Sequence, residues 1–194
     1  MRFKIYLLAF LLFSMTAFSQ TLKKFVKQAR KDFKEKKYDA AAANFTKALE
    51  FKPNNFKFLL ERARSYEAGH EYPDALKDFK SCLNLKSNDK KMYMKIGDLC
   101  MLLQDYGCAV EHFDRLTQMD KKNIPAFQKA SRAYLLLKKF DYALAKANNA
   151  LELQRYNHTS HYYRALALDS LHDITLANVA YESAIRLMKN EDPN

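Results

Sequence analysis

Tryptophan is absent from the chain, and its 194 residues include only three glycines and four prolines. So few turn-formers exclude a many-stranded β-fold, whose hairpins need Gly or Pro punctuation. Three scattered glycines also exclude a glycine-rich phosphate loop. Three cysteines, Cys82, Cys100 and Cys108, cannot all pair within one chain, and their spacings match no zinc signature. No apolar run beyond the first twenty residues approaches the roughly 20 that a membrane span takes. Carboxylates are the minority charge, 22 against 33 Lys and Arg. That excess creates a positive field and favours anionic partners.

What is present is a 48% hydrophobic, 13% aromatic chain of a length that suits one domain or one short repeat array. The first residues stand apart. Arg2 and Lys4 form a basic start, an apolar run follows from Ile5 to Phe13, and Ala17-Phe18-Ser19 sets small residues before Gln20. This is the order of a secretory signal peptide cut near Ser19/Gln20, and its Phe-rich run and Ser-Gln junction resemble those of Bacteroidota. The expectation is a leader over 1–19, removed on export to a periplasmic or secreted location. Its loss removes Arg2 and Lys4 and no acid, so the net charge falls from +11 to +9.

From Leu22 the chain divides without gaps into 22–55, 56–89, 90–123, 124–157 and 158–191, which together make up a repeat domain over 20–194. The twentieth place of each unit holds Ala41, Ala75, Ala109, Ala143 and Ala177. Three places earlier stand Tyr38, Tyr72, Tyr106, Phe140 and Ile174; four places later stand Phe45, Phe79, Phe113, Ala147 and Tyr181. The eighth place holds Ala29, Ala63, Gly97, Ser131 and Ala165. Small residues recur where two helices approach closely, and large ones fill the space beside them. Each unit carries two apolar stripes at helical spacing around a polar break such as Glu35-Lys36-Lys37 or Gly69-His70-Glu71. A helix–turn–helix of this kind cannot bury its own face and must stack on neighbours.

At these residues the chain resembles the tetratricopeptide repeat family. The second unit matches best, through Leu59, Ala63, Tyr66, Tyr72, Ala75, Phe79 and Cys82; the first closes with Ala48-Leu49-Glu50 and Pro53-Asn54-Asn55. Departures are the missing Trp, a closing Pro in the first unit alone, and His161 and Ile174 at usually aromatic places of the fifth. The resemblance implies an all-α, right-handed α-α superhelix of five helix–turn–helix repeats. It also implies a protein-binding role, with ligands lying along the concave face made by the first helix of each unit.

At 100° per residue, the second, sixth, ninth and thirteenth places of that first helix point away from the core. In units one to four they hold Lys23, Lys27, Arg30, Lys34, Lys57, Arg64, Lys91, Lys95, Lys129 and Arg132, against only Glu61 and Asp98. A solvated helix face collects Lys and Arg, but not one sign on four successive helices. Clustered like charge focuses field on anionic ligands. In unit five the floor turns neutral, with Tyr163 and the adjacent Tyr162 offering either aromatic anchoring area or ordinary packing against the last helix. An acidic peptide with an apolar or aromatic anchor suits both parts. Ninth places Arg30, Arg64 and Asp98, without Asn, do not reproduce the family's chaperone-type carboxylate clamp.

Other readings weigh less. A non-protein polyanion would favour aromatics among the basic places, and units one to four have none there, so no nucleic acid is expected. A structural subunit of an envelope assembly would dock through its C-terminal edge. There, a last helix over roughly 176–188 carries Leu176, Val179, Ile185 and Met188 along an apolar edge with no solvating helix expected after it, and self-association is a further outcome. The N-terminal end is polar, with Lys31, Asp32, Lys34, Glu35, Lys36 and Lys37. Enzymatic chemistry finds no support. His158, His161 and His172 lack the carboxylate or Cys that completes a zinc site, and nothing places Ser, His and Asp as a triad. No cofactor or metal is expected. Asn44-Phe45-Thr46 and Asn157-His158-Thr159 match the glycosylation pattern incidentally. Cys82 and Cys100 fall at apolar places and read as small core residues. A Cys100–Cys108 bridge across one hairpin is the alternative in an oxidising compartment.

Overall fold

The computed structural model describes the backbone of residues 2–191 and the side chains of residues 18–190. Ten helices follow one another: α1 (Arg2–Lys34), α2 (Tyr38–Phe51), α3 (Phe56–Ala68), α4 (Tyr72–Leu85), α5 (Lys90–Leu102), α6 (Tyr106–Met119), α7 (Ile124–Leu136), α8 (Phe140–Leu153), α9 (His158–Ser170) and α10 (Ile174–Glu191). No strand occurs among the described residues. The 34-residue register returns as five helical hairpins, and α2, α4, α6 and α8 each end four residues before the last place of their unit.

Two compact units emerge, Met1–Ser87 and Asn88–Asn194. In the first, α1 packs on α2, α2 on α3 and α3 on α4. In the second, each helix from α5 to α10 packs on the next, and α7 also meets α9. Alanines of the twentieth place are all buried, as are Phe45, Phe79 and Phe113 beside them. Ala29, Ala63, Gly97, Ser131 and Ala165 have no exposed surface. Burying these stripes supplies most of the stability, at about 25 cal/mol per Å² of apolar area.

Polar residues mark the register as regularly as apolar ones. The last place of four repeats, Asn55, Asp89, Asn123 and Asn157, caps the helix that follows by accepting from its first-turn amides. Within every hairpin the fifteenth place turns left-handed: Lys36, His70, Gln104, Lys138 and His172 have φ between 57° and 64°. The next amide then reaches back five residues, for example Glu71 N to the Tyr66 carbonyl at 2.8 Å and Lys139 N to Tyr134 at 2.9 Å. That bond satisfies a carbonyl left over at the helix end. Gly69 itself is not left-handed; His70 takes that conformation.

Two expectations change. Cys100 is not a lone core thiol but is bonded to Cys108, since α5 ends and α6 begins close enough to set their Cα atoms 5.8 Å apart. Cys82 lies buried outside the bridge. Asp32 does not belong to a solvated end, being only 5% exposed. It accepts from Gln28 at 2.7 Å and Asn44 at 2.9 Å, which satisfies a carboxylate at a place where Tyr66 and Tyr134 sit in other repeats. The first helix starts ahead of the first repeat. It runs unbroken from Arg2, with no Gly or Pro to end it, so the expected cut falls inside α1. Side chains of the expected leader up to Ala17 lie outside the described residues; Phe18 meets Phe51 at a tilt, with ring centroids 4.6 Å apart.

Candidate functional site

Helices α1 and α3 of the first compact unit border a cleft of about 700 Å³. Its floor is Leu22, Val26 and Phe58, and its rim is Lys23, Lys27, Arg30, Lys31, Lys34 and Lys57. The cations of α1 share one face because 23, 27, 30 and 34 recur at helical spacing. Among the described residues, Lys23, Lys27, Lys34 and Lys57 have no carboxylate partner. Lys31 stands 3.8 Å from Glu35. Such clustering raises the local potential for anions, and the apolar floor excludes a fully hydrated ion as the natural occupant.

Arg30 is the exception on the rim. Its Nε and Nη2 both donate to the Glu61 carboxylate on α3, each at 3.1 Å, a side-on bidentate fork. The same arginine separates the large cleft from a smaller one of about 260 Å³, where Phe33 and Phe45 lie beside Lys34, Glu61 and Arg64. Four predicted residues, Lys23, Lys27, Arg30 and Lys57, therefore meet in one place, and Arg64 lines the adjoining one. Sequence reasoning missed the floor, whose Leu22, Val26 and Phe58 lie off the predicted places.

The remaining predicted residues belong to the second compact unit. Lys91 and Arg132 are exposed on α5 and α7, and Lys95 is half-buried. Lys129 donates to Asp98, joining α7 to α5 as Arg30 joins α1 to α3. Tyr162 and Tyr163 lie with ring centroids 5.9 Å apart, and Tyr162 also comes within 6.3 Å of Tyr181 on α10. Tyr162 keeps 47% of its surface exposed, so it packs on α10 and still offers area to a ligand.

Two polar networks behind the core were not anticipated. Arg62 forks onto Asp78 at 2.7 and 2.8 Å and reaches Thr46 at 3.0 Å, tying α3 to α4 and back to α2. That hydrogen bond holds the guanidinium pKa above its usual value. In the second unit Tyr134 donates to Asp114, which also pairs with Lys146 at 2.8 Å. Burial first, then the Asp114 bond, pushes the Tyr134 hydroxyl well above the usual tyrosine range. Among the described residues no group of three His, Cys, Asp or Glu is placed to hold a metal ion. No helix among them is long and apolar enough to cross a membrane.

No protein-family model matches the chain. The crystal structure of MamA superimposes with a TM-score of 0.75 at 17% identity, over 90% of this chain and 96% of that one. YrrB, a TPR protein with an unusual peptide-binding site, superimposes at 0.72 with 15% identity, over 88% of this chain and 92% of its own. The fold is that of the tetratricopeptide repeat. In sequence, the tetratricopeptide array is 28% identical over 132 residues to Hsp70-Hsp90 organizing protein 3 of Arabidopsis thaliana, which is 63% of this chain. The matched segment spans 24% of that relative's length.

Proposed function

We propose that this chain is an exported adaptor that holds an acidic segment of a partner protein in the basic cleft between α1 and α3. The single observation that carries the reading is the rim of Lys23, Lys27, Lys34 and Lys57, without carboxylate partners, over an apolar floor. A peptide fits better than a small ion, because acidic side chains can meet the lysines while an apolar one covers Phe58 and Val26. YrrB, of like fold, has a peptide-binding site, and the organizing protein's name speaks of bringing proteins together. The role is binding, not catalysis. Export is supported by the order of charge, apolar run and small residues at the start. It is supported too by the Cys100–Cys108 bridge, a bond that persists in oxidising compartments.

The test is capture of a dye-labelled Glu-rich peptide carrying one Phe, followed by fluorescence anisotropy. Replacing Lys27 and Lys57 with Glu abolishes binding while circular dichroism shows unchanged helix content. Added salt weakens wild-type binding, since exposed charges are screened over about 8 Å at physiological ionic strength. Capture that survives the double substitution overturns the reading.

A further inference from the structure

The two ends of the array are finished differently. At places three and ten, the first helices of later repeats carry Ala126, Ser160, Ser65, Ala133 and Ala167, all buried. Place ten meets the preceding hairpin: Ala167 packs with Ala143 of α8. The first repeat has Lys24 and Lys31 at these places, both exposed, with Lys31 beside Glu35. That end is closed to stacking, because covering it would bury unpaired ammonium groups.

The α10 end is open. Place seventeen is half-buried in Tyr38, Tyr72, Tyr106 and Phe140 but 52% exposed in Ile174. Place twenty-eight is buried or half-buried in Leu49, Leu83, Thr117 and Leu151 but 49% exposed in Ile185. The face therefore continues the hairpin-to-hairpin interface seen between α8 and α9, and no helix among the described residues covers it. A second copy cannot cover it with α1, whose matching places are the two lysines.

Its own sequence says what can. Ile174, Asn178, Tyr181, Ile185 and Met188 follow one another at spacings of four, three, four and three, the seam pattern of paired helices. Ile174 and Ile185 lie equally far from the midpoint between 179 and 180, and so do Asn178 and Tyr181. A helix with that symmetry is complementary to itself run antiparallel. Each isoleucine meets the other isoleucine of the second copy, and each Asn178 amide meets a Tyr181 ring and hydroxyl. Charge agrees. The edge carries Glu182 with Arg186 and Lys189, so it does not repel its own copy as the basic concave face would.

We propose that α10 is the interface of a homodimer, the Ile174–Ile185 edge packing antiparallel on the same edge of a second copy. A twofold pairing of this kind closes on itself and uses no residue of the basic cleft. The proposal does not rest on the peptide-binding reading, and either can fail alone.

Sedimentation equilibrium of the full chain tests it. The wild-type protein is dimeric; I174E and I185K are each monomeric, and circular dichroism confirms that both half-exposed sites leave the fold intact. The double variant I174E/I185K puts opposite charges in each layer and restores the dimer. The L176E/V179E variant, on the far flank of α10, stays dimeric. A monomeric wild type, growth beyond the dimer with concentration, a dimer surviving I185K, one lost in L176E/V179E, or a double variant that stays monomeric would each overturn the proposal.

Discussion

Arg30 of α1 and Glu61 of α3 lock fork to carboxylate where the two clefts of the first unit adjoin, while Lys23, Lys27, Lys34 and Lys57 have no carboxylate partner among the described residues. Glu61 thus occupies the place where a ligand carboxylate would bind best. The expected effect of Glu61→Gln is tighter binding of the Glu-rich peptide, by about threefold, because a half-exposed pair is worth roughly 0.2–1 kcal/mol. Glu50→Gln, which removes one acid away from the cleft, changes affinity little. Anisotropy titrations of both variants check this, and equal gains in the two would reduce the effect to net charge.

Asp78 is nearly fully buried and serves as the counter-ion of Arg62. Asp78→Asn leaves that guanidinium charged and poorly matched in a half-buried site. Stability falls by about 3 kcal/mol, as when one partner of a buried pair is removed. Thr46→Val, which takes away only the weaker third contact, stays within about 1.5 kcal/mol of wild type. Urea unfolding of the two variants separates them.

Tyr134 makes stability depend on alkali. Its hydroxyl ionises at higher pH in the folded chain than in the unfolded one. The contribution is full below pH about 10, where unfolded tyrosine begins to ionise, and is lost as pH climbs through the folded value. Tyr134→Phe lowers stability by about 1 kcal/mol at neutral pH through the lost hydrogen bond to Asp114. The gap between wild type and variant should narrow above pH about 10 in melts at stepped pH. A gap that stays constant into strong alkali contradicts the raised ionisation.

Gly97 is the smallest residue of its column for a reason of space. A methyl group there would enter the van der Waals shell of the Phe113 ring, in a hairpin whose other columns are already filled. Gly97→Ala lowers stability by about 1–3 kcal/mol, as overpacked cores do. The pair Gly97→Ala, Phe113→Leu recovers part of it. Thermal melts of the single and double variants decide.

The fold was legible because stacking demands the same small and large residues at the same places in every repeat, and that repetition survives in Ala41 to Ala177. The caps Asn55, Asp89, Asn123 and Asn157 are equally periodic and local, yet they were not singled out from the sequence. Contacts between hairpins were not readable. Arg62 finding Asp78, or Arg30 finding Glu61, depends on which place of one helix faces which place of another, and helix periodicity alone does not fix that. Buried Asp32 illustrates the same limit, since its partners Gln28 and Asn44 become partners only once α1 and α2 have packed. The site was half legible. Charge on a helix face follows from spacing, whereas the apolar floor of Leu22, Val26 and Phe58 needed the approach of α1 to α3.

The left-handed residue in each hairpin has a further consequence. Lys36, His70, Gln104, Lys138 and His172 bear side chains in a conformation that glycine adopts without strain. The array therefore behaves like five equal springs, each held slightly compressed by the packing around it. Glycine at any one of them should relax its own spring, raising stability by about 0.5 kcal/mol. Thermal stability becomes a dial with five settings, turned at the hairpin tips and apart from the cleft between α1 and α3.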